Sequence, residues 1–494
     1  MSPERAPRSA GQSDPAGQVD PATDGKVDLG RRTFFRTIGR NAVTAAGQVA
    51  GAADALRRGS AAAAEELFHL GTDDAASSAD RLAAGSASPA ADVTRSPARP
   101  RTPLSARIPL DAASPEETTT HRSPYRLDGD LLYLLDQRLL PGRTEEVTIR
   151  EGRDLARAIR TGVVRGGPLL GQLAAYGIAL TASRHRDRRP GAQRVEISAA
   201  DGLLRGTRPS ARSMVTALNR MKRRRESLGT DPASDVLADA MRAEADTIAI
   251  EAMHDHAALA RHGAAVLSPS AGGPYNVLLH GSVGALGNGM VGTGLGIVRL
   301  IAAQGIPVHV WLTTGMPTME GSRASAWELS QAGLPHTVLP DPAVAWLFAN
   351  ERLDAVLLGA DWLAVNGDAA VLTGAAAMAI IAAAGPTEHA AAPDERPDGR
   401  PTVMLCAPLS CLDPTATSGL AMPPDRRSRQ EITSDLSATW GATSVGPAVD
   451  LVKAGWLDSI VTEEGDFVPN DPPALLGALR ARDERRDPAV RMAI

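Results

Sequence analysis

The alternation of short apolar segments with helical segments after residue 270 constrains the fold of this chain more than any other feature. The apolar segments predicted as strands are Val277–His280, Val308–Leu312, Ala355–Leu358 and Thr402–Cys406. The helical stretches are residues 293–304, 321–332, 342–350 and 373–384. This alternation indicates βαβ units around a parallel sheet, and such sheets bind ligands at the carboxyl ends of their strands. The residues that follow each strand are therefore where chemistry is expected.

The part of the chain before this alternation has a helical pattern instead. Apolar residues at helical spacing occupy residues 152–164, 170–184, 210–225 and 233–262. We therefore predict an α/β protein with three parts after residue 123. They are a helical N-terminal domain at 124–265, a Rossmann-like parallel-sheet domain at 270–470 and a C-terminal tail at 471–494.

The first 123 residues are predicted to be a mostly disordered extension. Residues 1–30 and 71–123 are rich in Ala, Ser, Pro, Asp and Arg, so they bury too little apolar surface to offset chain entropy. Residues 31–58 have the apolar spacing of an amphipathic helix. This helix opens with Arg31-Arg32-Thr33-Phe34-Phe35, which resembles a twin-arginine export signal. A docking helix, an export signal and a membrane-surface anchor all stay open for this segment.

The composition excludes several classes of function. The formal net charge of −5 argues against a broad basic surface for nucleic acid. The sequence contains no run of about 18 apolar residues, so no membrane span is expected. The two cysteines, Cys406 and Cys411, cannot form a disulfide framework and favour a reducing, cytoplasmic location. Their spacing lacks the further ligands of a zinc site, so no metal or cofactor is expected. The glycine-rich run GNGMVGTGLG lacks the Gly-Lys-Ser/Thr of a phosphate-binding Walker loop.

Four strand ends carry residues suited to a ligand site. They are His280-Gly281-Ser282, residues 313–317 with Glu320 beyond them, Gly359-Ala360-Asp361-Trp362, and residues 407–410. Glycines at such places permit a ligand to approach the backbone closely. An aspartate one step past a buried strand, such as Asp361, can be desolvated and act as an acid. A helix N-cap or a turn residue is the alternative interpretation of Asp361.

Several sequence blocks, which occur in the same order along the chain, resemble those of the methylthioribose-1-phosphate isomerase family. The resemblance extends from about Tyr125 to Gly465, in LLDQRLLP, AIRTGVVRGGPLLGQLAAYGIALT, TRPSARSMVTALNRM, GSRASAWELSQAGLP, LLGADWLAVNGD, APLSCLD and IVTEEG. The superfamily also includes ribose-1,5-bisphosphate isomerase and the regulatory subunits of the translation-initiation nucleotide-exchange factor. The resemblance implies a helical domain, a Rossmann-like domain, a substrate cleft between them and a homodimer. It further implies aldose–ketose isomerisation of a sugar 1-phosphate in methionine salvage.

The resemblance also assigns catalytic positions. The family's first strand end has His-Cys-Asn, with a catalytic cysteine, and the matching residues here are His280, Gly281 and Ser282. The thiol position is therefore a glycine, which leaves the tip of this loop without a strong nucleophile, acid or base. The family's catalytic aspartate matches Asp361. If another group replaces the thiol, Ser282 is the nearest candidate, provided that a neighbour such as His280 activates it.

The resemblance also implies a phosphate site, in which some residues differ from those of the family. Arg165, Gly166 and Gly167 match the family's Arg-Gly block, and Arg208 matches a second arginine. Glu320 stands at the position of a glutamine. An Asn-Lys pair is replaced by Val371-Leu372. We predict that Asp361 and Ser282 are catalytic. The predicted substrate-binding residues are Arg165, Gly166, Gly167, Arg208, Glu320, His280 and Gly281.

Three functions remain open from the sequence. The first is an isomerase of a sugar phosphate with an altered active site. The second is a catalytically inactive relative that binds a phosphorylated small molecule or a protein partner, like the translation-factor subunits. The third is an exported or scaffolding protein that uses the fold for assembly.

Overall fold

A computed structural model describes residues 123–267, 274–384, 400–427 and 445–486 of the 494-residue chain. The predicted extension at 1–123, apart from Ser123, and its helix near 31–58 lie outside these residues. So does the last part of the predicted tail, from residue 487 onward. Among the helices of the described ranges, none combines the length and the apolar character that a membrane crossing needs.

The N-terminal part begins with a three-stranded antiparallel sheet and continues as helices. The strands are β1 (Tyr125–Asp128), β2 (Leu131–Leu135) and β3 (Glu146–Ile149). The helices are α1 (Gly152–Arg160), α2 (Gly167–Arg184), α3 (Pro190–Arg205), α4 (Arg212–Ser227) and α5 (Ser234–Val266). Seventeen of the eighteen residues of α2 are buried, because α3, α4 and α5 all pack against this apolar helix. The small sheet and α3 were not predicted from the sequence.

The second part is built on a seven-stranded sheet in the order β14-β13-β10-β7-β4-β5-β6. Its strands are β4 (Tyr275–His280), β5 (Val308–Thr313), β6 (His336–Leu339), β7 (Ala355–Gly359), β10 (Thr402–Cys406), β13 (Ser459–Thr462) and β14 (Gly465–Phe467). All neighbours pair in parallel except β13 and β14. The chain first builds outward from β4 to β6 and then returns to place β7 on the other side of β4. The gap between β4 and β7 is therefore the topological switch point, where doubly wound sheets bind ligands.

Helices cover the faces of this sheet, and strands that follow β7 in the chain form a second, smaller sheet. The helices are α6 (Gly294–Ala303), α7 (Ala326–Gln331), α8 (Val344–Asn350), α9 (Ala375–Ala384) and α10 (Pro472–Arg486). The smaller sheet has the order β11-β8-β9-β12, formed by β8 (Trp362–Ala364), β9 (Ala369–Leu372), β11 (Leu412–Asp413) and β12 (Val449–Val452). The central strands are buried on both faces, which explains their continuous apolar sequences.

The predicted fold class of a helical part followed by a Rossmann-like sheet is confirmed. The four strands read from the sequence are β4, β5, β7 and β10, each correct to within two residues. The predicted C-terminal tail at 471–494 contains α10, in which the buried Arg482 forms an ion pair with Glu463 beside β13. The domain limits of 124–265 and 270–470 stay predictions.

Candidate active site

A pocket opens at the switch point, between the carboxyl ends of β4 and β7. The start of α2, the loop after β5 and the residues near 425 close its other sides. All nine residues that the sequence nominated line it: Arg165, Gly166, Gly167, Arg208, His280, Gly281, Ser282, Glu320 and Asp361. Further lining residues are Pro168, Val283, Asn288, Gly359, Ala360, Val371, Leu372 and Arg427. The structure thus brings the nine together, and the role of each stays a prediction.

The loop after β4 turns sharply at Gly281. The φ angle of Gly281 is 79°, in the left-handed region that favours glycine, and Ser325 Oγ donates a hydrogen bond to its carbonyl at 2.8 Å. A Cβ added at Gly281 would lie 3.0 Å from Cδ2 of Leu372. Any side chain here therefore meets both backbone strain and the apolar wall formed by Val371 and Leu372.

Ser282 presents a hydroxyl that has no protein partner. Within the described residues its Oγ is buried and makes no hydrogen bond. The Ser282 backbone carbonyl accepts a hydrogen bond from Asn288 Nδ2 at 3.1 Å, which fixes this turn. A buried hydroxyl without a partner costs free energy, so hydrogen bonding within this turn does not explain the serine.

A catalytic role for Ser282 was tied to activation by a neighbour such as His280, but His280 makes its hydrogen bonds to other groups. Its Nδ1 lies 2.6 Å from Thr313 Oγ1, and its Nε2 lies 3.1 Å from the carbonyl oxygens of Leu372 and Thr373. Two carbonyl acceptors require a proton on Nε2, so Nδ1 accepts from the threonine hydroxyl. Burial lowers the pKa of His280, which keeps the ring neutral. Both nitrogens are occupied, and His280 holds the loop after β4 against β9.

Asp361 follows β7 and lies against the beginning of α2. Its Oδ2 accepts a hydrogen bond from Arg208 Nη2 at 2.8 Å. A Cβ added at Gly167 would lie 2.9 Å from Asp361 Cγ, so only glycine leaves room for the carboxylate. Burial raises the pKa of Asp361, with Glu320 and Asp425 acting in the same direction and Arg208 opposing them. A carboxyl with a raised pKa is suited to donate a proton.

Arg208 is held by three protein oxygens. Besides Asp361, its Nε donates to Asp425 Oδ2 at 2.9 Å and its Nη1 donates to the carbonyl oxygen of Arg165 at 3.0 Å. Asp425 also accepts from Ser210 Oγ at 2.6 Å. Although burial alone would lower the pKa of Arg208, these carboxylates raise it, so the guanidinium stays charged. The cation is thereby fixed in place at the pocket wall.

Glu320 faces the pocket and is paired with a buried arginine. Its Oε1 forms an ion pair with Arg427 and accepts from Thr318 Oγ1 at 2.7 Å. The side chains of Arg427 and Glu320 are only 3% and 10% exposed. Burial tends to raise the pKa of Glu320, but Arg427, Arg165 and Arg208 together lower it. Glu320 is therefore an ionised acceptor, and Arg427 compensates the repulsion that it would exert on a phosphate.

The start of α2 brings the backbone itself to the pocket. A Cβ added at Gly166 would collide with the backbone of Gly287, because these two chain segments touch directly. Pro168 occupies the first turn of α2, where its missing N–H leaves no hydrogen bond unmade. The positive end of the helix dipole therefore points toward Asp361 and the space beside it, which favours negative charge there.

Sequence reasoning missed three polar residues of this site. Asp425 and Arg427 lie in MPPDRR, a stretch without periodicity that reads as a solvated turn. Their position is fixed by backbone hydrogen bonds, from Arg427 N to Gly446 O and from Ala448 N to Asp425 O. Asn288, on the helical turn Ala285–Asn288, was hidden in the glycine-rich run. The sequence offered one signal for the first two, namely that Asp425 and Arg427 carry opposite charges two residues apart. Alternate residues of an extended segment point to the same side, so the two can face one site.

A metal site or a reactive thiol would need suitable side chains among the described residues. In the ranges that the structure describes, no cluster of three or more His, Cys, Asp or Glu side chains could hold a metal ion. Cys411 is near Asp361, with its Sγ 3.4 Å from the carbonyl oxygen of Ala360. Burial raises the pKa of both Cys406 and Cys411, so neither forms a thiolate readily.

Comparison with known proteins agrees with this architecture. The initiation factor 2 subunit family matches residues 163–469. The methylthioribose-1-phosphate isomerase of Chloroflexus aurantiacus is 33% identical over 362 residues, which are 73% of this chain and 98% of that protein. The enzyme of the same name from Thermus thermophilus is 34% identical over 361 residues, 72% of this chain and 98% of that protein.

Two crystal structures share the fold. The 5-methylthioribose 1-phosphate isomerase of Pyrococcus horikoshii has a TM-score of 0.62 and 27% identity, over 75% of this chain and 99% of that one. The delta subunit of translation initiation factor eIF-2B from A. fulgidus has a TM-score of 0.57 and 24% identity, over 72% of this chain and 99% of that one. This chain therefore belongs to the initiation factor 2 subunit family and is methylthioribose-1-phosphate isomerase-like.

Proposed function

We propose that this chain isomerises an aldose 1-phosphate to the corresponding ketose 1-phosphate in the pocket between β4 and β7. Asp361 is the acid, and Arg165, Arg208 and the start of α2 bind the phosphate. The observation that carries this proposal is the Asp361–Arg208 pair, a buried acid with a raised pKa joined to a fixed cation at the switch point. The isomerase names of the relatives supply the substrate class.

The reaction needs one proton transfer at each end of the rearrangement. The ring oxygen gains a proton when its bond to C1 breaks, and the hydroxyl at C2 loses one when the ketone forms. A single carboxyl that starts protonated can therefore end protonated, which suits Asp361. The hydrogen on C2 must also move to C1. The family's thiol position is Gly281, so we assign the second catalytic position to Ser282, whose hydroxyl has no hydrogen-bond partner among the described residues.

A second candidate function is binding without turnover, and four observations favour it. Gly281 supplies no thiol and Leu372 supplies no cation, while Arg208 is neutralised by two carboxylates. The serine that replaces the family's asparagine also receives no activation from His280, because both nitrogens of that ring are engaged elsewhere. A protein with these features would hold a phosphorylated small molecule as a ligand. The homodimer and the cytoplasmic location stay predictions under either function.

Phosphorus NMR with a panel of aldose 1-phosphates separates the two candidates. The panel contains 5-methylthioribose 1-phosphate, ribose 1-phosphate and glucose 1-phosphate. We expect a new ketose 1-phosphate resonance with at least one pentose derivative, and its loss in Asp361→Asn. The matched control is Asp239→Asn, because Asp239 is 77% exposed in a surface ion pair with Arg186. Broadened resonances without product would favour the binding function, and unchanged spectra would refute both.

A further inference from the structure

The charged side chains around the pocket are balanced before any ligand enters. Three arginines contribute positive charge: Arg165, Arg208 and Arg427. Three carboxylates contribute negative charge: Glu320, Asp361 and Asp425. The five whose ion pairs are resolved have side-chain exposures between 3% and 17%, so water screens them poorly. Arg165 acts on Glu320 electrostatically, as its effect on the pKa of that carboxyl indicates.

A sugar phosphate would upset this balance. A phosphomonoester carries roughly two negative charges at neutral pH, and none of the six groups offers a surplus positive charge to meet them. Arg208 and Arg427 are already paired with carboxylates, so a phosphate that contacts Arg208 must compete with Asp361 or Asp425 for it. Once displaced, that carboxylate would be buried, charged and without its partner, which is strongly unfavourable.

Of the three carboxylates, Asp361 is the one that a phosphate can displace from its arginine most easily. Its contact with Arg208 is one hydrogen bond, through Oδ2, and it lies on the pocket surface. Asp425 is less exposed and has a second donor in Ser210, so it can keep Arg208 in position. Glu320 is fixed by Arg427 and Thr318. The guanidinium of Arg208 can thus exchange Asp361 for a phosphate oxygen without leaving its anchors.

The other groups near Asp361 do not compete for a proton. Cys411 is already protonated, because burial raises the pKa of its thiol. The pKa of His280 is lowered and both its nitrogens are engaged. The pKa of Glu320 is lowered as well, whereas burial, Glu320 and Asp425 all raise that of Asp361.

We propose that a sugar phosphate binds in this pocket together with one proton, which Asp361 takes up from solvent as the phosphate replaces it on Arg208. This inference rests on the proposed function and deepens it. The incoming proton converts the Asp361 carboxylate to the neutral acid, and no other bond changes in this step. Substrate binding would thereby create the acid that ring opening requires, so Asp361 is protonated only when a phosphate is bound.

Calorimetry measures the proton directly. The probe is ribitol 5-phosphate, a polyol phosphate that has no anomeric carbon and cannot isomerise. Titrations at pH 7.2 in buffers of different ionisation enthalpy give the number of protons bound per ligand. We expect about 0.5–1 proton taken up by the native protein and by Asp239→Asn, and close to zero by Asp361→Asn. Zero uptake by the native protein, or equal uptake by Asp361→Asn, would overturn the inference.

The pH dependence of affinity provides a second test that needs no variant. Proton uptake requires the dissociation constant to increase with pH, by up to about tenfold per unit between pH 7 and pH 8.5, where the ligand itself stays dianionic. A constant affinity over that range would overturn the inference. If ribose 1-phosphate is turned over while ribitol 5-phosphate binds without a proton, the proposed function stands and this inference fails. If neither compound binds, both fail.

Discussion

The carboxylate of Asp361 occupies the space that a side chain at Gly167 would need. A Cβ at Gly167 would lie 2.9 Å from Asp361 Cγ and 3.0 Å from Asp361 Cα. Ser213 Oγ donates to the carbonyl oxygen of Gly167 at 2.5 Å, and Arg212 N donates to that of Asp361 at 2.9 Å, so α4 holds both neighbours. The start of α2 and the end of β7 are thus fitted to each other around one ionisable group.

Replacing Gly167 by alanine should disrupt this fit. The methyl group must displace either Asp361 or the start of α2, at a cost of about 1–3 kcal/mol in the free energy of unfolding. Ligand affinity should fall as well, because a displaced start of α2 would move the backbone that we propose binds the phosphate. Urea unfolding and calorimetry measure the two effects.

The matched control for this change is Gly202→Ala. Gly202 lies in the exposed interior of α3, with no atom within 4 Å of an added Cβ. Alanine should therefore stabilise the protein by about 0.5–1 kcal/mol through helix propensity alone. A Gly167→Ala protein as stable as the native one would contradict the packing described here.

Restoring a thiol through Gly281→Cys should destabilise the protein and, if the chain binds its ligand without turnover, should give little activity. The positive φ of Gly281 costs a non-glycine residue about 1–2 kcal/mol, and the new Cβ would press on Leu372. Gly305→Cys is the control, because Gly305 has a φ of 84° and open space around it, so it reports backbone strain alone. A Gly281→Cys protein with a large gain in turnover and native stability would refute this expectation.

Replacing Arg427 by methionine should leave Glu320 buried without its cation. We expect a loss of about 3 kcal/mol in the free energy of unfolding. The double variant Arg427→Met/Glu320→Gln should regain most of it, because the uncompensated charge is then absent. Urea unfolding of the four proteins completes a double-mutant cycle. A double variant as unstable as Arg427→Met alone would show that the two residues do not act as a pair.

The same pair predicts how the penalty depends on pH. The pKa of Glu320 is lowered in the native protein, so its stabilising contribution is present above its ordinary pKa and is lost as the pH falls through the lowered value. In Arg427→Met the largest of the contributions that lower this pKa is lost, so Glu320 protonates more readily. The stability difference between native protein and variant should therefore be largest near pH 7 and shrink toward pH 4. A difference that is constant with pH would contradict the assignment.

Ser282→Ala should separate a catalytic role from a structural one. The Ser282 hydroxyl has no hydrogen-bond partner in the part of the chain that the structure describes, so its removal should leave stability unchanged or slightly increased. If Ser282 acts in the rearrangement, kcat/KM should fall by about 10²-fold or more with folding intact. Unaltered turnover of the substrate would exclude Ser282 from the chemistry.

The sequence predicted the parts of the site that follow the rules of parallel sheets. Gly281, Ser282 and Asp361 were found because each follows an apolar strand, and the switch between β4 and β7 brings their strand ends together. Arg165 and Arg208 were found through the family blocks alone, because nothing local distinguishes them from surface arginines. The family resemblance and the βαβ pattern together were sufficient for the fold class.

Residues positioned by long-range contacts were not predicted. Arg427 reaches Glu320 across 107 positions of the chain, and Asp425 reaches Arg208 across 217, so no local pattern marks them. The small sheet of β1–β3 consists of strands of four or five residues, too short for a clear alternation. Helix α10 begins with two prolines and is rich in charge, and it packs through the buried Leu475 and through Arg482, which pairs with the buried Glu463.

The most direct test of the proposed function is to follow the carbon that changes its oxidation state. Purified protein is incubated with ribose 1-phosphate or 5-methylthioribose 1-phosphate labelled with ¹³C at C1, and carbon NMR follows the label. We predict that the anomeric resonance is replaced by that of a CH₂ carbon next to a ketone, and that Asp361→Asn abolishes this conversion while Asp239→Asn does not. An anomeric resonance that persists with both compounds, or equal conversion by Asp361→Asn, would contradict the account.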